Sequence, residues 1–264
     1  MYQWNAREYQ ASSSNQKKWA MELLSKLDLE GDERVLDIGC GDGEITALIA
    51  RRVPHGFVVG IDSSRDMIEL AIKRYPSERC PNLTFFLKDA GAMDFDEEFD
   101  AVFSNACLHW ITDHKSVLEG IKRCLKPSGK VLLQMGGLGN AKTVLEALDD
   151  IIKESQWAKF FEGFVFPYGF YGSEEYRNWL GALGFKIVRV ELLPKDMVHE
   201  GKGQFAAWLR TTWLPYTQRV PETLREEFIA AVVEQYAGKY SLGNDGHIHI
   251  RMVRLEVEAE KGTA

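Results

Sequence analysis

Between residues 34 and 136, short apolar runs take turns with amphipathic ones, and that alternation rules out most folds. Arg34 to Ile38, Gly56 to Ile61, Leu83 to Leu87, Phe99 to Phe103 and Val131 to Met135 read as strands. Helical patterns near 44 to 53, 64 to 75 and 114 to 125 fall among them. Strands joined through helices pair side by side rather than as hairpins, so the sheet is parallel and covered on both faces. With 264 residues, 45% of them hydrophobic, the chain can bury such a core.

The flanks are simpler. Trp19, Leu23, Leu24 and Leu27 recur at helical spacing over 16 to 27, and Asp28 to Glu33 is a polar loop. Lys126-Pro127-Ser128-Gly129 reads as a turn, with proline ending a helix and Gly129 supplying a positive φ before the fifth strand. A helix over 140 to 154, an aromatic segment over 157 to 171, a helix from Ser173 to a glycine stop at Gly184 and a strand from Phe185 to Leu193 follow. The segment 203 to 240 is helical and broken at Pro215 and Pro221, and His247 to Val257 alternates like a strand. No repeat, low-complexity tract or linker divides the chain, so one domain over 1–264 is expected.

A formal net charge of −7 argues against nucleic acid or an anionic membrane as partner and favours a small molecule. No run of about 18 apolar residues and no signal-peptide pattern occurs, which predicts a soluble, cytoplasmic protein. Cys40, Cys80, Cys107 and Cys124 show no C-x-x-C spacing and read as reduced thiols. His247 and His249 share a strand face, yet two such ligands without a nearby cysteine or acid do not make a metal site, and no metal is expected.

The chemistry concentrates at VLDIGCGDGEIT, residues 35 to 46, a strand, a glycine turn and a helix start. Backbone N–H groups and the positive end of a helix there face a polar or anionic ligand above the sheet. The glycines run Gly39-x-Gly41-x-Gly43 rather than G-x-G-x-x-G, and Asp37 precedes them. A carboxylate repels a pyrophosphate but suits an ammonium or sulfonium group. Asp62 closes the second strand, where an acid can accept from both ribose hydroxyls, and Asp89, followed by Ala90, closes the third, within reach of an adenine amino group. Three acids at successive strand ends suit a ligand with an amino acid head, a ribose and an adenine but no phosphate.

On these residues, the segment 34 to 136 resembles the class I methyltransferases that use S-adenosylmethionine. FDAVFSNACLHWITDHKSVLEGIKRCLKPSGKVLL is similar to a narrower group, the juvenile hormone acid and trans-aconitate methyltransferases, which methylate small-molecule carboxylates. The likeness extends to YQASSSNQ, 9 to 16, and weakly to PYTQRVPETLREEF, 215 to 228. It implies an α/β, Rossmann-like seven-stranded sheet, mostly parallel with the last strand antiparallel, and a helical cap. The cofactor-binding core would be 34–136, with 1–28, 138–182 and 196–244 as cap and substrate elements. It implies S-adenosylmethionine as cofactor, S-adenosylhomocysteine as product, and Asp37, Gly39, Cys40, Gly41, Asp62, Ser63, Met67, Asp89, Ala90, Asn105 and Ala106 as cofactor contacts. In the juvenile hormone enzymes a glutamine of the N-terminal helix and a tryptophan after the fourth strand hold the substrate carboxylate; the matching positions are Gln16 and Trp110. A monomer and a homodimer are both compatible with the sequence.

A carboxylate with a pKa of about 4 is already ionised at neutral pH, so methylating it requires no general base. Holding it in line with an activated methyl can lower the barrier by about 7 to 11 kcal/mol. Gln16 and Trp110 offer neutral N–H donors, which orient an acid without blunting it as a nucleophile. Cys107 and His109 stand two apart with no orienting acid and read as backbone and pocket lining, not as a thiol–imidazole pair. The eight aromatics Trp157, Phe160, Phe161, Phe164, Phe166, Tyr168, Phe170 and Tyr171 can roof an apolar acid or pack as core. No arginine cluster motif for several carboxylates is recognisable, which favours an apolar acid, although Arg177, Arg210 and Arg219 remain available. Two other readings stay open: transfer to a carbon, nitrogen, hydroxyl or carrier-bound acyl acceptor, and a cofactor-binding regulatory module without turnover.

Overall fold

The structure, a computed structural model, describes residues 14–240 and 246–262, with the side chains of 14–16 outside that description. Seven strands, β1 (Arg34–Ile38), β2 (Phe57–Asp62), β3 (Leu83–Leu87), β4 (Phe99–Asn105), β5 (Leu125–Gly136), β6 (Phe185–His199) and β7 (Ile248–Lys261), form one sheet in the order β3-β2-β1-β4-β5-β7-β6. The pairs β2–β3, β1–β2, β1–β4 and β4–β5 are parallel, and β7 runs antiparallel to β5. Chain order reverses between β1 and β4, the switch point above which ligands sit in such sheets.

The helices are α1 (Ser14–Leu24), α2 (Glu44–Arg52), α3 (Arg65–Arg74), α4 (His114–Cys124), α5 (Lys142–Ile151), α6 (Ser155–Ala158), α7 (Ser173–Ala182), α8 (Lys202–Thr212), α9 (Leu214–Thr217) and α10 (Arg225–Lys239). The described residues divide into two compact units, one of residues 16–138, 168–193 and 254–262, the other including 139–167, 194–240 and 246–253.

In the first unit the period of two along each strand sorts side chains onto two faces. Val35, Val58, Ala101, Phe103 and Leu132 pack with Leu23, Leu24 and Leu27 near α1, Ile49 and Ala50 of α2 and Ile68 and Ala71 of α3. Leu36, Ile38, Val59, Val102, Leu133, Leu255 and Val257 pack against Val117, Leu118 and Ile121 of α4 and Tyr176 and Leu180 of α7. By the same alternation Asp37, Asp62, Asn105, Gln134 and Glu256 all belong to the α1–α3 face.

In the second unit α10 buries Phe228, Ile229, Val232, Val233 and Tyr236, and α5 buries Val144, Ala147, Leu148 and Ile151. Part of the aromatic segment is core here: Trp157 and Phe161 meet Phe228 at ring separations of 5.2 and 5.6 Å.

Two local expectations are corrected. The positive φ of the 126–129 turn falls on Ser128, at 62°, not on Gly129. A Cβ on Gly129 would lie 2.8 Å from Leu125 Cδ2 and 2.9 Å from the Lys126 carbonyl oxygen, so Gly129 is demanded by crowding rather than by handedness. The turn is a bulge within β5: Leu125 pairs with Phe99, and pairing resumes at Lys130 with Ala101. The strand expected to end at Leu193 continues to His199.

Candidate active site

β1 delivers Asp37 to the switch point, 2% exposed, where its Oδ2 accepts from the Thr46 hydroxyl at 2.7 Å. Burial pushes this carboxyl up to about 7; Thr46 offsets part of that, and the nearby Asp62 adds to it. Asp62 is also raised by burial, although it accepts from the amides of Gly41 at 3.0 Å and Ser64 at 2.8 Å. One carboxylate thereby ties the glycine turn to the start of α3, whose N-cap is Ser64.

The turn closes in the left-handed region, with φ of 75°, 53° and 80° at Gly39, Gly41 and Gly43. The glycines differ in purpose. A Cβ on Gly39 would fall 2.2 Å from Cys107 Cβ and Sγ, so the turn and the end of β4 are in contact through the missing side chain. A Cβ on Gly41 would meet nothing within 4 Å, leaving the turn open on that side. The amides of Gly39 and Cys40 both donate to Ile61, at 2.8 and 3.0 Å, which joins the turn to β2.

Of the other expected contacts, Met67 and Ala90 are buried at the starts of α3 and the turn 90–92, and Ser63 is exposed at the end of β2. Asp89 caps that turn through Gly91 N at 2.7 Å. Ala106 has a φ of 54° and donates to the Gln134 carbonyl at 2.8 Å. Asn105 Oδ1 is buried with no hydrogen-bond partner. Asp37, Gly39, Gly41, Asp62 and Asn105 thus gather at the ends of β1, β2 and β4.

The residues after β4 are held neutral. Burial drives the Cys107 thiol pKa far up. Burial lowers His109 strongly, with help from Arg254 and His114, and its Nδ1 accepts from Gly136 N at 3.4 Å. His114 falls to about 4 through burial; Nε2–H donates to the Leu108 carbonyl at 2.8 Å, which leaves Nδ1 to accept from Tyr176 at 2.5 Å. None of the three is poised to take a proton at neutral pH.

Trp110 is half-buried and meets Tyr168 edge-on at 5.1 Å, and Tyr168 stacks on Phe170 at 5.2 Å. Gln16 lies in the first turn of α1 with its side chain outside the described residues, as are residues 9–13 of the N-terminal match. Arg177 donates to the Val190 carbonyl at 2.5 Å, Arg219 to those of Phe160 and Glu162, and Arg210 to Glu226. Each has a structural task. His249 Nδ1 lies 2.7 Å from Asp196, and among the described residues no group of three or more His, Cys, Asp or Glu side chains could hold a metal. Among the described residues, no helix is long and apolar enough to cross a membrane.

Thr46, which buries its hydroxyl against Asp37, escapes a sequence reading because threonine in a first helical turn is ordinary. The groups fit S-adenosylmethionine: its ammonium would suit the buried Asp37 carboxylate and the Asn105 amide oxygen, its ribose hydroxyls would suit Asp62, and a Cβ on Gly41 would meet nothing within 4 Å. The comparisons with known proteins agree. A family described as a methyltransferase domain matches residues 29–180. Trans-aconitate 2-methyltransferase of Rhizobium etli is 30% identical over 98% of this chain and 99% of its own, and an uncharacterised methyltransferase of Schizosaccharomyces pombe is 32% identical over 74% and 77%. Among solved structures, a putative methyltransferase from Bacillus halodurans shares the fold at a TM-score of 0.65 and 18% identity, covering 92% of this chain and 99% of its own. The chain belongs to the S-adenosylmethionine-dependent methyltransferase-domain family.

Proposed function

We propose that this protein methylates a carboxylate of a small acid, forming a methyl ester. The observation that carries this reading is the neutral state of Cys107, His109 and His114 after β4, with both histidines already hydrogen-bonded. A hydroxyl, amine or carbon acceptor must shed a proton as it is methylated; a carboxylate arrives without one. S-adenosylmethionine, when bound, supplies the activated methyl group.

The remaining work is placement. Asp37 would hold the cofactor's ammonium, Asp62 its ribose hydroxyls and Asp89 its adenine amino group. Gln16 and Trp110 would orient the acid. The trans-aconitate relatives support a polycarboxylate over the fatty or aromatic acid that the aromatic segment suggests, and the use of Trp157 and Phe161 as core weakens the apolar alternative.

The test uses purified protein, methyl-labelled S-adenosylmethionine and a panel of polycarboxylic, fatty and aromatic acids. Label that mild base releases as methanol supports the ester; base-stable label, or binding without transfer to any acid, sinks it. Trp110→Phe, which removes the indole N–H, is expected to lower kcat/KM for the acid about 10-fold and leave S-adenosylhomocysteine binding unchanged.

A further inference from the structure

Gln134 is 1% exposed in a stretch of β5 that is otherwise apolar, Val131-Leu132-Leu133-Gln134-Met135. Its neighbours in register are Asn105 on β4 and Glu256 on β7. With strands about 4.8 Å apart, the three side chains form a row on the face that carries Asp37. Gln134 Nε2 donates to Glu256 Oε2 at 3.0 Å, which turns Oε1 away from the acid. That Oε1 and Asn105 Oδ1 are both buried acceptors with no hydrogen-bond partner. Two such oxygens side by side call for a donor that the described residues do not supply.

Glu256 keeps the amide from flipping. It is 1% exposed and accepts from Lys26 at 2.5 Å, from Arg189 and from Gln134. Burial alone would raise its pKa, yet these bonds hold it below the usual glutamate value, so it stays an acceptor. A flipped Gln134 would set oxygen against carboxylate.

Asp37, Asn105 and Gln134 therefore present acceptors on one face, and an ammonium, with three N–H donors, suits them better than any neutral group. We infer that Gln134 Oε1 and Asn105 Oδ1 accept from the ammonium of the cofactor's amino acid end, with Glu256 as the positioning residue that fixes Gln134. The inference rests on the cofactor reading and adds Gln134 and Glu256 to it.

Calorimetry with S-adenosylhomocysteine and 5′-methylthioadenosine, which keeps the nucleoside and thioether but lacks the amino acid end, tests it. Gln134→Met is expected to weaken S-adenosylhomocysteine about 10-fold or more and leave methylthioadenosine within about twofold. Glu256→Gln should give the same split at smaller size, with Glu256→Asp restoring part of it. Equal weakening of both ligands, or of neither, overturns the inference and leaves the cofactor reading standing; wild-type protein that binds neither overturns the cofactor reading itself. Should Gln134→Met fail to fold, the wild-type side-chain amide resonance of Gln134 decides. A shift with S-adenosylhomocysteine but not with methylthioadenosine supports the inference, and no shift with either means water fills the row and overturns it.

Discussion

Asp37→Asn should make the ligand-free protein more stable while disabling its site. The carboxyl is raised from 3.8 to about 7, chiefly by burial. Between those values the folded state holds a proton that the unfolded chain has lost, so this group's contribution to stability falls as pH rises, and the loss is complete above about 7. A shift of that size corresponds to about 4 kcal/mol. Asparagine keeps an oxygen for the Thr46 hydroxyl, which Asp37 accepts at 2.7 Å, and carries no charge to desolvate. Urea denaturation of both proteins at pH 4, 6, 7.5 and 9 without cofactor should therefore show a difference near zero at pH 4 that grows to several kcal/mol in the variant's favour by pH 8. The difference matters rather than either slope alone, because His114 and His199, both lowered to about 4 by burial, oppose the trend in both proteins. Calorimetry should show the other half: loss of a charged hydrogen bond of about 1.5 to 3 kcal/mol weakens S-adenosylhomocysteine about 10- to 150-fold. A stability difference independent of pH, or cofactor affinity left intact, would refute the reasoning.

Two further outcomes follow from the same structure. Gly39→Ala combines a left-handed φ with a Cβ 2.2 Å from Cys107, and should cost about 2 to 4 kcal/mol in urea melts; adding Cys107→Gly should recover the overlap but not the backbone strain. His114 is neutral when folded with its pKa depressed to about 4, so its contribution is present above about 6.5 and lost as pH falls to 4; His114→Gln should flatten that part of the acid limb of the stability profile by about 3 kcal/mol, and an unchanged limb would count against the assignment.

The parts of the site legible in sequence are those whose neighbours lie close along the chain. Asp37, the glycines and the start of α2 fall within one strand–turn–helix stretch, and Asp62 and Asp89 mark themselves by ending apolar runs. Thr46, Gln134 and Glu256 do not, because their partners come from register: Gln134 meets Glu256 across 122 positions. The alternation that makes β1 to β5 readable weakens in β6, where exposed and half-buried residues mix, and its extension to His199 had no apolar signature. Ser128 shows a subtler limit. Sequence preference assigns the positive φ to glycine, whereas Leu125 and Lys126 crowd the Gly129 Cβ position and the handed residue is the serine before it.

The two sheet faces differ in the polar groups they bury, and the difference supports the proposed position of the ligand. On the α4–α7 face the buried polar groups are matched: Ser104 donates to the Ile38 carbonyl at 2.7 Å, and His114 is bonded through both nitrogens to Leu108 and Tyr176. On the α1–α3 face Asp37 and Asp62 are held at raised pKa, and Asn105 and Gln134 each keep an oxygen without a partner. Selection for stability alone would pair or remove such groups, as it has across the sheet. These four groups are all acceptors, and two are acidic, so a ligand that brings donors and positive charge suits them. The amino acid end of S-adenosylmethionine carries both, and under the proposed assignment its binding would offset the cost of burying these groups.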